Sequence, residues 1–340
     1  MPENKTRKQH FLPRVDQKLN ALNPQGKNRN LRIYSFYLVD RKNYILTLEN
    51  LNGVSIDGNL FFLDLLSFDI LEDNRLRHNF ESLFQKYEEK TELQTAKLLS
   101  KLNAGNIDIK TEITDLFAAK LLNFIRNPFC IEKVLNTFPN LALYEPVDAT
   151  LLDNYRRIVS GRKPHQANLC AYFGISDQQY VKWLRVLFIL LVPMREGYLN
   201  FFEEATRGLL ENRKTYLSVS VCEYDSDRCL LSDRGYSQPL PGSKHLAFSF
   251  NLCSTAFINY IFADLDTLIQ GLAPPQFIAQ AIDSWRNYPL VQFKVEHLRN
   301  DHIRLACYNR HVIEQCHGRV YCSTKDGLVL SDHTSDTRAS

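Results

Sequence analysis

Five polar residues have the types and settings that hydrolytic or metal chemistry uses. They are His10 in Lys8-Gln9-His10-Phe11-Leu12-Pro13, Glu81 and Glu88, Arg126 ahead of Asn127-Pro128, and Asp233 in Ser232-Asp233-Arg234-Gly235. A histidine whose imidazole is neutral near pH 7 serves as a general base or a metal ligand. Glu81 and Glu88 lie seven residues apart with Phe84 between them, nearly two helical turns, so they leave a helix from almost one face. Two carboxylates held close can bind a divalent cation or share a proton, because each raises the cost of ionising the other. The planar guanidinium of Arg126 suits a phosphate or carboxylate. Asp233 follows the apolar run Cys229-Leu230-Leu231 and so projects from a strand end.

Each of these residues also has a purely structural use. Glu81 one turn after Arg77 makes an ordinary surface ion pair. His10 can anchor the N-terminal segment by hydrogen bonds. Asp233 is what a turn prefers, since its side chain bonds the backbone two residues on. Arg126 can bond the last carbonyls of its own helix.

The elements that must position these groups follow from periodicity. Leu31 to Val39 and Tyr44 to Leu48 read as strands around the turn-forming Asp40-Arg41-Lys42-Asn43. From about Asn74 to Leu102 the residues Leu76, Phe80, Leu83, Tyr87 and Thr91 recur at three- and four-residue steps and predict one long helix, stopped by Asn103-Ala104-Gly105-Asn106. A second helix over Thr111 to Ile125 ends before Asn127-Pro128. Further helical patterns cover Ile131 to Thr137, Ala149 to Val159, Gln166 to Phe173 and Asp177 to Leu191. From Thr215 the pattern turns to strands at Tyr216 to Cys222, Arg228 to Leu231 and Leu246 to Leu252. Helices return at about Gln276 to Arg286 and Asp301 to Cys316, followed by a strand over Arg319 to Cys322. The expected class is α+β, with short N-terminal strands, a helix-rich middle and a β-rich later part.

Bulk composition sets limits. The 340 residues, 44% hydrophobic and 23% charged, have the balance of a globular protein rather than a disordered one. A formal charge of +3 gives no support by itself for a nucleic-acid partner. The longest apolar run, Val186 to Met194, is far shorter than the roughly 20 residues of a membrane span. The polar, basic start does not read as a secretory signal. The eight cysteines form no Cys-x-x-Cys pair. Reduced thiols in a cytoplasmic protein without a membrane partner are therefore expected.

Two other patterns invite a function. Leu169 to Ser176 followed by Tyr180 to Leu184 resembles a helix-turn-helix, with Gly174 at the turn and Arg156, Arg157, Arg162 and Lys163 upstream. Its second helix continues into Val186-Leu187-Phe188-Ile189-Leu190, which demands burial and not a DNA groove. His302, Cys307, His311, Cys316, His317 and Cys322 have the composition of a metal cluster but lack the short paired steps of structural zinc sites, so buried thiols beside a packed helix are expected.

Taken in order, Gln9-His10-Phe11-Leu12-Pro13, Glu81 with Glu88, Arg126-Asn127-Pro128 and Ser232-Asp233 resemble the landmarks of the bacterial domain-of-unknown-function 4238 family. That family opens on a Gln-His-aromatic-aliphatic-Pro segment and continues with paired helix glutamates, an Arg-Thr-Pro-like step and a Ser-Asp-x-Pro step. The likeness spans roughly residues 8 to 325 through short motifs. Gly235 stands where the pattern places proline, Asn127 where it places threonine, and Arg14-Val15-Asp16 where an aromatic-leucine continuation belongs. The resemblance implies a pattern of residues and no mechanism.

These readings give one mixed domain over residues 10–330, with a subdivision suggested near 140–215, between a flexible basic start (1–9) and a loose tail (331–340). The leading expectation is a metal-dependent hydrolase acting on a phosphodiester. In it Glu81, Glu88 and Asp233 hold a divalent cation, His10 handles a proton or binds the metal, and Arg126 holds the phosphate. The alternative is a non-catalytic binding or regulatory protein in which the same residues form a buried polar network. A DNA-binding regulator using residues 169 to 184 ranks third.

Overall fold

The computed structural model describes residues 6–27, 30–71, 76–195, 197–212, 215–240, 245–264, 274–287 and 294–331. In chain order the strands are β1 (Lys8–His10), β2 (Arg32–Asp40), β3 (Ile45–Leu48), β4 (Val54–Ser55), β5 (Phe61–Leu63), β6 (Ser67–Leu71), β7 (Leu76–Asn79), β8 (Thr215–Glu223), β9 (Leu231–Ser232), β10 (Leu246–Cys253), β11 (Ala256–Asp264), β12 (Lys294–Arg299) and β13 (Arg319–Cys322). The helices are α1 (Arg14–Leu19), α2 (Glu81–Glu88), α3 (Thr91–Asn103), α4 (Lys110–Arg126), α5 (Ile131–Thr137), α6 (Ala149–Ser160), α7 (Gln166–Phe173), α8 (Asp177–Leu191) and α9 (Phe201–Leu210), followed by Ile278–Asn287 and His302–Gln315. The class is α+β. The expected loose tail beyond Ser331, and residues 1–5 of the expected flexible start, lie outside the described residues.

The chain divides into two compact units, each assembled from three stretches. Residues 1–15, 57–94 and 115–206 make the first, and residues 16–56, 95–114 and 207–340 make the second. This interleaving differs from the single domain expected over 10–330. Residues 8 and 9, assigned to the flexible start, are instead part of β1, and Gln9 is fully buried.

In the first unit β1 pairs antiparallel with β5, and β6 with β7. Gln9 ties the N-terminal strand down: its amide donates to Ser67 Oγ at 2.8 Å and its carbonyl oxygen accepts from the Leu66 backbone. The core is built around α8, where every residue from Val186 to Leu191 is buried. Ser176 starts that helix through a reciprocal capping box with Gln179, and Gly174 ends α7 in the left-handed region at φ 66°. A helix-turn-helix does form at residues 166–191. With Tyr180, Trp183 and Leu184 buried too, most of its second helix belongs to the core, while Asp177, Gln178, Val181, Lys182 and Arg185 keep some exposure.

The predicted long helix over 74–102 is a strand and two helices. Leu76–Asn79 pairs with β6, and the helix breaks between Glu88 and Thr91. Tertiary pairing overrides the three- and four-residue repeat there, yet the aromatic stripe survives, with Phe80 and Phe84 completely buried. Arg77, expected to pair with Glu81, binds Asp64 instead, Nε to Oδ1 at 2.8 Å.

In the second unit, among the described residues, one sheet runs β3-β2-β13-β9 with β4 also on β2, and the other runs β10-β11-β8-β12. A single core cluster takes Phe36 and Val320 from the first sheet, Cys222 and Phe257 from the second, and Leu305, Val312 and Ile313 from the helix His302–Gln315. Tyr308 of that helix stacks on Phe257 with ring centres 4.0 Å apart. All eight cysteines are free thiols. No helix among the described residues is long and apolar enough to cross a membrane.

Candidate functional site

Four of the five expected residues belong to the first unit, and electrostatics links them. Arg126 ends α4, where Asn127 turns the chain by accepting a hydrogen bond from the Phe129 backbone at 3.0 Å. The Arg126 side chain is 1% exposed. Its Nη1 bonds Glu88, its Nη2 donates to Asn123 Oδ1 at 3.3 Å, and its guanidinium lies over the Phe84 ring, 5.0 Å from the centre. Packing on an aromatic face suits a guanidinium, which is weakly hydrated and planar. Glu88 keeps 30% of its side chain exposed, so the pair reaches from the interior to solvent.

Glu81 and Glu88 open and close the short helix α2. Burial pushes the Glu81 carboxyl up to about 7, with Arg126 pulling it down and the Glu88 charge adding to the rise. Its Oε1 is buried without a hydrogen-bond partner, as is Arg126 Nε. Two orphaned polar atoms among charged groups form a locus with hydrogen-bonding capacity for a ligand.

His10 sits at the end of β1, its ring against Phe61 with centres 5.6 Å apart. Burial lowers its imidazole to about 4, helped by the positive charges of Arg14 and Arg126, while a hydrogen bond to the Asn59 backbone and the charge of Asp57 act the other way. The expected anchoring role falls to Gln9, its neighbour. His10 and Glu81 both keep intermediate exposure and both feel Arg126.

Environment thus reverses the ordinary order of the two groups. A free carboxyl titrates two units below a free imidazole, whereas here Glu81 holds its proton near neutrality and His10 stays uncharged down to about 4. Between those values the site offers a neutral imidazole that can take a proton and a carboxylic acid that can give one. Paired titratable groups pushed apart by their surroundings are the usual mark of acid–base work.

Asp233 lies elsewhere. It belongs to the second unit, and its carboxylate accepts the backbone N–H groups of His317, Gly318 and Arg319 at 2.7, 2.8 and 2.9 Å. Beside it Ser232 Oγ accepts from Arg234 N and Gly235 N at 3.2 and 3.1 Å. Asp233 therefore ties the turn between the last helix and β13, with its acidity set by burial (upward) against those three N–H groups (downward). Among the described residues no group of three or more His, Cys, Asp or Glu side chains could hold a metal ion. Glu81, Glu88 and Asp233 are in no such group, the two glutamates belonging to the first unit and Asp233 to the second, and neither are the histidines and cysteines between 302 and 322. There is a chemical reason in the first unit: Glu88 is compensated by Arg126, and Glu81 is largely protonated, which leaves little anionic charge for a divalent ion.

Sequence reasoning missed Arg14 and Asp57. They form an ion pair, each about half exposed, and both act on His10. The one signal was Arg14 itself, directly after Pro13, where the chain departs from the family pattern. Arg126 is buried with its fork engaged by Glu88 and Asn123, whereas Arg14, although paired with Asp57, keeps about half of its side chain exposed and can meet a ligand from solvent. Comparison of the chain with family models, with curated proteins and with solved structures finds no match to any of them.

Proposed function

We propose that the first unit hydrolyses a phosphodiester by acid–base catalysis, with His10 as base and Glu81 as acid. The observation that carries this reading is the reversed proton affinity of the two side chains around Arg126. Water attacks phosphorus while His10 accepts its proton, and the bond from phosphorus to the leaving oxygen breaks as Glu81 protonates that oxygen. A phosphomonoester and an alcohol leave. The imidazolium, titrating at about 4, then loses its proton and the Glu81 carboxylate, at about 7, regains one. This resetting is downhill by about 4 kcal/mol.

Arg14 holds the anionic diester, and Arg126 tunes both catalytic groups. A bound anion also raises His10 towards neutrality, because a nearby negative charge favours the imidazolium, so the base strengthens only when substrate is present. His10, Glu81, Glu88 and Arg126 coincide with the landmarks of the family resemblance, which supports treating them as one site.

The test is hydrolysis of a chromogenic phosphodiester by the full chain and by His10→Ala and Glu81→Gln. Each variant should lose about 100-fold or more in kcat/KM, and the wild-type activity should persist in chelator. Wild-type activity lost in chelator would restore the cation reading, and unchanged rates in both variants would remove the proposal. A second reading, a static polar network, is favoured by the complete burial of Arg126. It makes the opposite forecast for the stability of Glu81→Gln, developed below.

A further inference from the structure

The basic stretch Arg156-Arg157-Ile158-Val159-Ser160-Gly161-Arg162-Lys163-Pro164-His165 takes no part in the acid–base site. It connects α6 to α7 and is fastened along β6. The Ile70 backbone donates to Arg162 O at 3.0 Å. Gly161 lies so close that a Cβ there would stand 2.3 Å from the carbonyl oxygens of Phe68 and Arg157. Under the stretch are two buried aspartates, each paired with cations. Asp64 binds Arg77 Nε at 2.8 Å and faces His165 Nε2 at 3.4 Å. Asp69 binds Arg157 Nη1 at 3.3 Å and acts electrostatically on Lys163.

The outward parts of this layer are positive. Arg157 is 38% and His165 33% exposed in their side chains, and Arg162 is exposed. Arg157 and Lys163 face Asp69, Arg77 and His165 face Asp64, and the exposed Asp153 pairs with Arg157 Nε at 3.1 Å, while the exposed Arg156 and Arg162 add to the cations, so the surface carries excess positive charge. Arg157 is held by Asp69 and Asp153, and phosphate is an anion that a planar guanidinium fork matches. Lys163 is half-buried, with its ammonium donating to Gly161 O at 2.9 Å, and burial lowers it to about 8. A neighbouring anion would raise it again.

One further group points to the form of the polyanion. Tyr172, seven residues beyond His165 on α7 and so about 10 Å along that helix, is 61% exposed. An exposed ring beside a cationic track is where an unpaired base stacks.

We propose that Arg157, Arg162, Lys163 and His165, with Tyr172, bind the phosphate backbone of a single nucleic-acid strand. The inference deepens the phosphodiester reading by naming a polynucleotide as the substrate. It rests on that reading for what is cleaved but not for what is bound.

The experiment is fluorescence anisotropy of the full chain with a labelled single strand of about twenty nucleotides. With four phosphate contacts the affinity should fall about 50-fold between 50 and 200 mM salt. Arg162→Glu should weaken binding about tenfold or more and flatten that salt dependence. Tyr172→Leu should weaken it about tenfold. Lys90→Glu, an exposed charge outside this surface, should bind as the wild type does. No binding at low salt would overturn the inference, as would equal losses in Arg162→Glu and Lys90→Glu, or binding only to vesicles of anionic lipid. Failure of the strand to bind, with the chromogenic diester still hydrolysed, removes this inference alone. Binding without any hydrolysis removes the catalytic reading alone.

Discussion

Replacing Glu81 by glutamine should stabilise the protein at alkaline pH while removing its catalysis. The carboxyl titrates at about 7 in the fold and at its ordinary 4.5 in the unfolded chain. Below 4.5 it is protonated in both states and costs nothing. As pH rises through the interval, the unfolded chain releases the proton and the fold does not, so stability falls, and above about 7 the full cost is present. A separation of about 2.5 pH units at about 1.4 kcal/mol each gives about 3–4 kcal/mol. Glutamine has nearly the same shape and never ionises. Unfolding by guanidinium, followed through the buried Trp183, should therefore give a difference between variant and wild type that is flat near pH 4. That difference should grow by about 3–4 kcal/mol in favour of the variant by about pH 8. If Glu81 were an ionised member of a static network, the variant would instead lose stability as pH rises, and that result would refute the reasoning.

Other outcomes follow from the same geometry. kcat/KM should be bell-shaped in pH, with an acid limb at about 4 from His10 and an alkaline limb at about 7 from Glu81, because it reports the free enzyme. Since the Arg126 charge lowers both groups, Arg126→Gln should move both limbs to higher pH, as a pH–rate profile would record. Asp233→Asn weakens a carboxylate that receives three backbone N–H groups and should cost about 1–3 kcal/mol in denaturation. Phosphodiester hydrolysis should be unaffected by that change. Gly161→Ala forces a Cβ against two carbonyl oxygens and should destabilise by about 1–3 kcal/mol, seen as a lowered Tm.

How much was legible in the sequence varies with the range of the interaction responsible. Helices such as α6 and α8 show their own caps, Asp148 and the Ser176–Gln179 box, and were placed almost to the residue. Strand β13 was placed over Arg319–Cys322, bounded by Gly318. Residues 76–79 were read as helix because the repeat through Phe80, Leu83 and Tyr87 continues backwards into them. Only the pairing with β6 makes a strand there, and pairing partners are not written locally. The same limit governs the site. All five residues could be singled out by type and setting, but the turn that Asp233 ties is formed by a distant part of the chain. What Asp233 does is decided by three N–H groups more than eighty residues away. Arg14 stood out only as a departure from the pattern of the resemblance, which gives it no role, and the shifts on His10 and Glu81 come from burial that the chain acquires only on folding.

Residue-specific NMR titration of the His10 imidazole and the Glu81 side-chain carboxyl tests the central claim most directly. The account predicts that His10 takes up its proton at about 4 and Glu81 at about 7, so that near pH 5.5 one is neutral and the other protonated. Midpoints in the ordinary order, with Glu81 near 4.5 and His10 near 6.5, would contradict it.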